Sequence, residues 1–215
     1  MMWHGHDTRR GASVPRMEPE PDASVVRRLK EGDEAAFDQI YDAYRPKLFA
    51  FLLRLSRRHD VAEDLLEETW LRLVTRVGSL HEDTRLLPWL FAVARNLFLS
   101  YRRWRLLDED RVGEFCRLPA MGDPAGTPFE HAATNELRER IERALATLPV
   151  PCREVLLLVA IQGFTPAEAA AVCGLAPEVF RKRLSRARAM LSRVLETPER
   201  DPGGVTRTPR LIHDL

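Results

Sequence analysis

The sequence predicts an all-α protein of two small helical domains joined by a flexible linker, and three observations carry that prediction. Apolar residues recur at helical spacing over two stretches, 23–106 and 134–196, with no useful length of strand-type alternation. Helix start and stop signals punctuate both stretches, among them Asp33 after Gly32, and Thr165 and Pro166 with Glu168. Between them, residues 107–133 lose their periodicity and turn acidic, with Gly and Pro scattered through them. That is the composition of a linker, which leaves the two domains physically independent.

Bulk properties set the frame. The chain has 215 residues, 45% hydrophobic and 30% charged, with a formal net charge of only +1, so a nucleic-acid footprint has to be a local patch. No apolar run approaches the roughly 20 residues of a membrane helix, the longest being 155–161. The opening "MMWHGHDTRR" lacks the apolar core of a secretory leader, and a cytoplasmic location is expected. Cys116, Cys152 and Cys173 are odd in number and far apart, which suits a reducing compartment and bystander thiols. His4 and His6 sit in a polar, Pro-containing tail over 1–22 that reads as disordered. They have no further ligands nearby, so neither a metal site nor a cofactor is expected.

In chain order, Asp33 caps a helix whose stripe is Phe37, Ile40, Tyr41, Tyr44, Leu48, Phe51 and Leu55, with Pro46 expected to bend or interrupt it. Asp60 and Glu63 resemble a capping arrangement for the next helix. Its buried face is Leu65, Leu66, Thr69, Trp70, Leu73, Val74 and Val77, and Gly78 closes it. After the loop "GSLHEDTR", Pro88 fits the first turn of a third helix that buries Leu90, Ala94, Leu97, Phe98 and Tyr101 and ends in "YRRWR". The second domain starts near Thr134 with Leu137, Ile141, Leu145 and Leu148 on one face. Pro149 and Pro151 break that helix, and "CREVLLLVAIQG" forms a buried one. The short, small-residue helix "PAEAAAVC" then leads through Gly174 into a helix that begins at Pro177. A final tail covers 197–215.

The last helix poses the functional question. Arg181, Lys182, Arg183, Arg186 and Arg188 fall within eight positions with no acid among them. Like charges one turn apart repel, so a run this one-sided points to a counter-charge on another molecule. A short helix, a Gly turn and a basic helix together form a helix-turn-helix candidate, whose second helix enters the major groove. Val179, Phe180, Leu184, Ala187 and Leu191 form its inward stripe. Pro177, Glu178, Arg181, Lys182 and Ser185 point outward, with Arg186 and Arg188 at the flanks. Arginine pairs bidentately with guanine, and the remaining cations hold phosphates.

The first domain carries a second asymmetry. Glu63, Asp64, Glu67 and Glu68 line one helix, whereas Arg102, Arg103 and Arg105 end the next, beside Trp89, Tyr101 and Trp104, aromatics able to stack on unpaired bases. Two other classes compete with a reading of two partner surfaces. A helix-turn-helix regulator that binds duplex DNA on its own would want a ligand pocket or dimer seam, and the first domain offers neither by composition. An enzyme would want a motif such as P-loop glycines, H-E-x-x-H or a nucleophile elbow, and none is present.

Three stretches, "DVAEDLLEETWLRLV", "LPWLFAVARNLFLSYRRW" and "ALATLPVPCREVLLLVAIQGFTPAEAAAVCGLAPEVFRKRLSRARAML", resemble the signature stretches of bacterial sigma factors. Their spacing is similar to that of the small extracytoplasmic-function (ECF) group of the sigma-70 family. The resemblance covers roughly 25–105 and 134–195 and implies a set of roles. Asp64, Leu65, Glu67 and Glu68 would dock on the clamp-helix coiled coil of core RNA polymerase. The loop 78–86 and the helix bearing Trp89, Arg95, Asn96, Arg102 and Arg103 would recognise the minus-ten promoter element and hold it open, with Asn96 near a flipped-out base. The helix from Pro177, with Glu178, Arg181, Lys182, Ser185, Arg186 and Arg188, would read the minus-thirty-five element as duplex. The linker would thread through the polymerase, and an anti-sigma factor is a further partner the family implies; no membrane partner is expected. The sequence departs from the family pattern at Glu67, where Gln is usual, and at Ala176, Phe180 and Lys182.

Overall fold

The structure, a computed structural model, describes residues 23–107 and 128–196, and all regular structure among them is helical. The tail 1–22 with His4 and His6, linker residues 108–127 with Cys116, and the tail 197–215 lie outside the described residues. Four helices come before the linker: α1 (Ala23–Lys30), α2 (Glu34–Ser56), α3 (His59–Arg76) and α4 (Leu86–Leu107). Four follow it: α5 (Pro128–Thr147), α6 (Val150–Leu156, continued by a π turn over Leu157–Ile161), α7 (Pro166–Cys173) and α8 (Pro177–Glu196). Helix α5 begins inside the stretch expected to be linker.

Local chemistry explains most boundaries. Asp33 Oδ1 accepts from the Ala36 amide at 3.2 Å while Oδ2 accepts from Arg28 Nε at 2.7 Å, so one carboxylate caps α2 and ties α1 to it. The Arg28 bond, followed by the Ala36 amide, holds this carboxyl below the usual range. Pro46 lies within α2 without ending it. It is exposed, and the carbonyl deprived of a donor belongs to Asp42, also exposed, so solvent can satisfy the lost bond. The expected Asp60 cap is absent. Only Arg57 and Arg58 separate α2 from α3, and Arg57 takes a left-handed φ of 60° whose amide closes α2 on the Leu53 carbonyl at 2.8 Å. That tight turn puts Asp60 inside the first turn of α3, where it binds the Arg58 guanidinium instead. Val74, expected inside, is 56% exposed, because α3 buries Leu66, Thr69, Trp70 and Leu73 on its other side. Thr69 is satisfied within the core by donating to the Leu65 carbonyl at 2.7 Å.

The two helical groups are not independent, which corrects the expectation drawn from the linker. They share one continuous core, with α4 against α7 and α2 against α6. Phe91 of α4 stacks edge-on against Phe164, centroids 5.1 Å apart, and tilts against Phe51 of α2 at the same distance. Composition pointed to a linker but not to the complementarity of the surfaces on either side of it. Among the described residues no helix is long and apolar enough to cross a membrane.

Candidate nucleic-acid and polymerase interfaces

Helix α8 is presented by the unit before it. Thr165 accepts from the Glu168 amide while Glu168 reaches back to the Thr165 amide at 2.7 Å, the complete capping box the sequence predicts. Gly174 then takes φ 62°, a left-handed conformation natural to glycine, and turns the chain into α8. Phe180 and Ala187 are fully buried and Leu184 nearly so. These three residues anchor the helix on α6 and α7 and fix which way its other side faces.

That other side carries Pro177, Glu178, Arg181, Lys182, Ser185, Arg186 and Arg188, every one exposed. Val179 joins them at 47% exposure, contrary to its expected inward position, while Leu191 is half-buried. Position 179 sits one residue from the Phe180 anchor, and a full apolar stripe is wider than the face α7 covers. Arg181 pairs with Glu178 at 3.0 Å, both heavily exposed, so solvent screening leaves this bond little energy and the guanidinium available.

On α4 the expected minus-ten residues separate into groups. Asn96 and Arg103 are exposed, Arg102 is half-exposed, and Trp89 is half-buried against the core. Arg95 is turned inward: its Nε binds Glu154 of α6, with side-chain exposures of 13% and 3%, and its Nη1 donates to Asn96 Oδ1 at 3.2 Å. Tyr101 is occupied by Arg105, which lies 5.9 Å above the ring and donates to the hydroxyl at 3.1 Å. Trp104, 60% exposed, is the open aromatic surface at this end.

On α3, Asp64 and Glu67 face solvent and Glu68 is held by Arg72 at 2.7 Å. Leu65 does not join them. It is buried in the core, because its neighbours along the helix, Leu66 and Thr69, are core-facing too. Sequence reasoning missed Leu71 and Val74, 55% and 56% exposed, which continue the strip of Asp64 and Glu67 at helical spacing. The signal was there: two apolar residues in register with the acids rather than with Leu66 and Leu73.

The sequence also gave no role to the buried charges of α6. Arg153 is 5% exposed and Glu154 2% exposed inside an otherwise apolar run. Among the described residues, no carboxylate pairs with Arg153. Its five N–H groups serve backbone carbonyls: Nε to Leu145, Nη2 to Ala146 and Leu148, Nη1 to Arg54 and Leu55, at 2.8–3.3 Å. Burial, with Arg57 nearby, brings its pKa down to about 10, so it stays charged at neutral pH. Cys173 donates to Glu154 at 3.4 Å, and burial, then the Glu154 charge, pushes its thiol up to about 12, consistent with a bystander rather than a reactive thiol. Among the described residues no cluster of His, Cys, Asp and Glu is placed to hold a metal ion.

Two family profiles match the chain: Sigma-70 region 2 over residues 40–105 and Sigma-70, region 4 over 138–191. The chain is 36% identical over 168 residues to the ECF RNA polymerase sigma factor EcfG of Rhodopseudomonas palustris, covering 78% of this chain and 89% of that protein. The chain belongs to the ECF group of sigma-70 RNA polymerase sigma factors. It is also 31% identical to the ECF sigma factor SigM of Bacillus subtilis, over 72% of this chain and 91% of that one. As a member of this family, the protein is a DNA-binding transcription initiation factor that serves promoter recognition by RNA polymerase. Its fold is shared by solved structures, two of which are informative. One is the sigma factor RpoE in complex with the anti-sigma factor NepR from Bartonella quintana, with 30% identity, TM-score 0.63, and 75% of this chain and 97% of that one covered. The other is CnrH in complex with the cytosolic domain of CnrY, with 26% identity, TM-score 0.61, and 81% and 96% covered.

Proposed function

We propose that this sigma factor docks on core RNA polymerase through the acidic, apolar-edged strip of α3, reads the minus-thirty-five element with the outward face of α8, and recognises and helps melt the minus-ten element with α4. In this reading the units are 23–106 and 134–196, and the linker 107–133 spans the polymerase between them. The protein works in the cytoplasm and has no catalytic role of its own, because the polymerase performs the chemistry. The observation that carries the reading is α8, where the cations Arg181, Lys182, Arg186 and Arg188 are all exposed on a helix fixed by buried Phe180, Leu184 and Ala187. A helix so anchored offers rigid donors to base edges and phosphates. An anti-sigma factor is part of the proposal, supported by the complexes formed by both structural relatives.

The deciding experiment mixes the purified chain with sigma-free core polymerase and measures initiation on duplex templates and on templates already opened at the start site. Base flipping and unstacking cost a few kcal/mol on duplex alone. Asn96→Ala is therefore expected to impair the duplex reaction more than the opened one, and equal loss on both would remove the melting role.

A further inference from the structure

Helix α8 carries one apolar side chain that neither its packing nor the promoter reading above accounts for. Val179 is 47% exposed, whereas Phe180 beside it is fully buried and helps fix the helix on α6 and α7. A lone exposed valine is ordinary on a protein surface. This one stands among charges: Glu178 precedes it, and Lys182 and Arg183 lie one turn along.

Charge is graded along this helix. Its first turn, Pro177–Phe180, contains one acid and no cation, and Arg181, Lys182, Arg183, Arg186 and Arg188 follow within the next eight positions. Phosphate repels a carboxylate, so the cations beyond the first turn are the groups suited to hold the DNA backbone, and the first turn is left to the base edges. Glu178 Oε1 accepts from Arg181 Nη2 at 3.0 Å, which draws that guanidinium back to the first turn, beside Val179. Base edges in the major groove present acceptors, donors and one apolar group, the C5 methyl of thymine. Valine has neither donor nor acceptor, so it can tell bases apart only through that methyl. Its β-branched side chain keeps one strongly preferred rotamer in a helix, so little freedom is lost when it is covered.

We propose that Val179 is a specificity-determining residue that packs against the C5 methyl of a thymine in the minus-thirty-five element, an inference that rests on the promoter reading of α8. Residues 178–181 span about one helical turn, about 5.4 Å, against about 3.4 Å for each base step. The thymine therefore lies within about two base pairs of the base read by Arg181.

Holoenzyme assembled from the full chain and sigma-free core polymerase tests it. Heparin-resistant complexes are selected from duplex DNA randomised over both promoter elements, with wild type and with Val179→Ala. The position is exposed and alanine favours helix, so this variant keeps its fold. Wild type is expected to select a thymine on one strand of the minus-thirty-five element, and Arg181→Ala to relax a base within about two pairs of it. Uracil, which differs from thymine only in lacking the methyl, is then placed at that position. Wild type is expected to bind the uracil site about fourfold more weakly, the worth of about one buried carbon, and Val179→Ala to bind both sites alike. Selection of no thymine, a wild type indifferent to uracil, or a Val179→Ala that still discriminates overturns the methyl contact and leaves the promoter reading standing. Loss of core polymerase capture by Val179→Ala also overturns it, by making the valine a protein contact. A wild-type holoenzyme with no sequence preference at the minus-thirty-five element overturns the promoter reading of α8, and the methyl contact with it.

Discussion

Replacing Arg153 tests whether one side chain joins the two helical groups. Its guanidinium satisfies five carbonyls, at Arg54, Leu55, Leu145, Ala146 and Leu148, in a site where the residue is 5% exposed. Lysine keeps the charge but offers three N–H groups, so at least two carbonyls lose their donor. At about 1 kcal/mol for each orphaned buried acceptor, Arg153→Lys is expected to cost about 2 kcal/mol. Arg153→Met orphans all five but removes the expense of burying a cation, and the net loss is expected at about 3–5 kcal/mol. With a urea slope of about 2 kcal/mol per molar, the midpoints fall by about 1 M and about 2 M. Equilibrium unfolding in urea, followed by circular dichroism at neutral pH, reads both variants. Wild type should unfold in one transition, because the core is shared, and Arg153→Met should separate it into two. A methionine variant as stable as wild type, still unfolding in one step, would show that the helix ends need no shared donor and refute the clasp.

Three further outcomes follow from the same geometry. Arg186→Ala and Arg188→Ala should weaken DNA binding evenly across sequences and each lower the salt slope by about one. Arg181→Ala and Lys182→Ala should instead cost about 1–3 kcal/mol at particular bases, read by binding at two salt concentrations on a panel of altered sites. Asp64→Lys or Leu71→Ser should reduce capture of core polymerase in a pull-down without changing α8 binding to duplex; lost DNA affinity with retained capture would reverse the assignment of the two surfaces. For Glu168, burial raises the carboxyl pKa, but the Thr165 and Arg85 bonds outweigh it and leave it below its ordinary value. Its contribution is therefore complete above about pH 4.5 and lost as pH falls through the lower folded value, so the stability gap between wild type and Glu168→Gln should close on acidification, measured by thermal unfolding from pH 7 to pH 3.

What the sequence made legible was whatever depends on neighbours along one helix. The Asp33 cap, the Thr165–Glu168 box, the Gly174 turn and the outward cations of α8 are decided within a turn or two, and all are present as expected. The misses share a different cause. Asp60 failed as a cap because a two-residue turn from the preceding helix set where α3 begins. Val179 and Val74 face water because apolar periodicity marks a stripe wider than the partner helix covers. Least legible was the packing of the two groups, for it depends on contacts such as Arg54 with Glu142 and Arg95 with Glu154, 88 and 59 positions apart.

The buried charges of α6 link these levels. An Arg-Glu pair inside "CREVLLLVAIQG" has no use within its own helix, since an apolar residue at either position would pack as well and avoid desolvation. The cost makes sense only against what lies across the interface: five carbonyls from two helix ends that would otherwise be buried without donors, and Arg95, a cation which belongs to α4. The same reasoning runs through α8, where Arg181, Lys182, Arg183, Arg186 and Arg188 accumulate with no acid among them. In α6 the missing partner proved to be another part of this chain, and the charges are buried. In α8 the cations are exposed, and the partner proposed for them is the phosphate and base edges of a promoter.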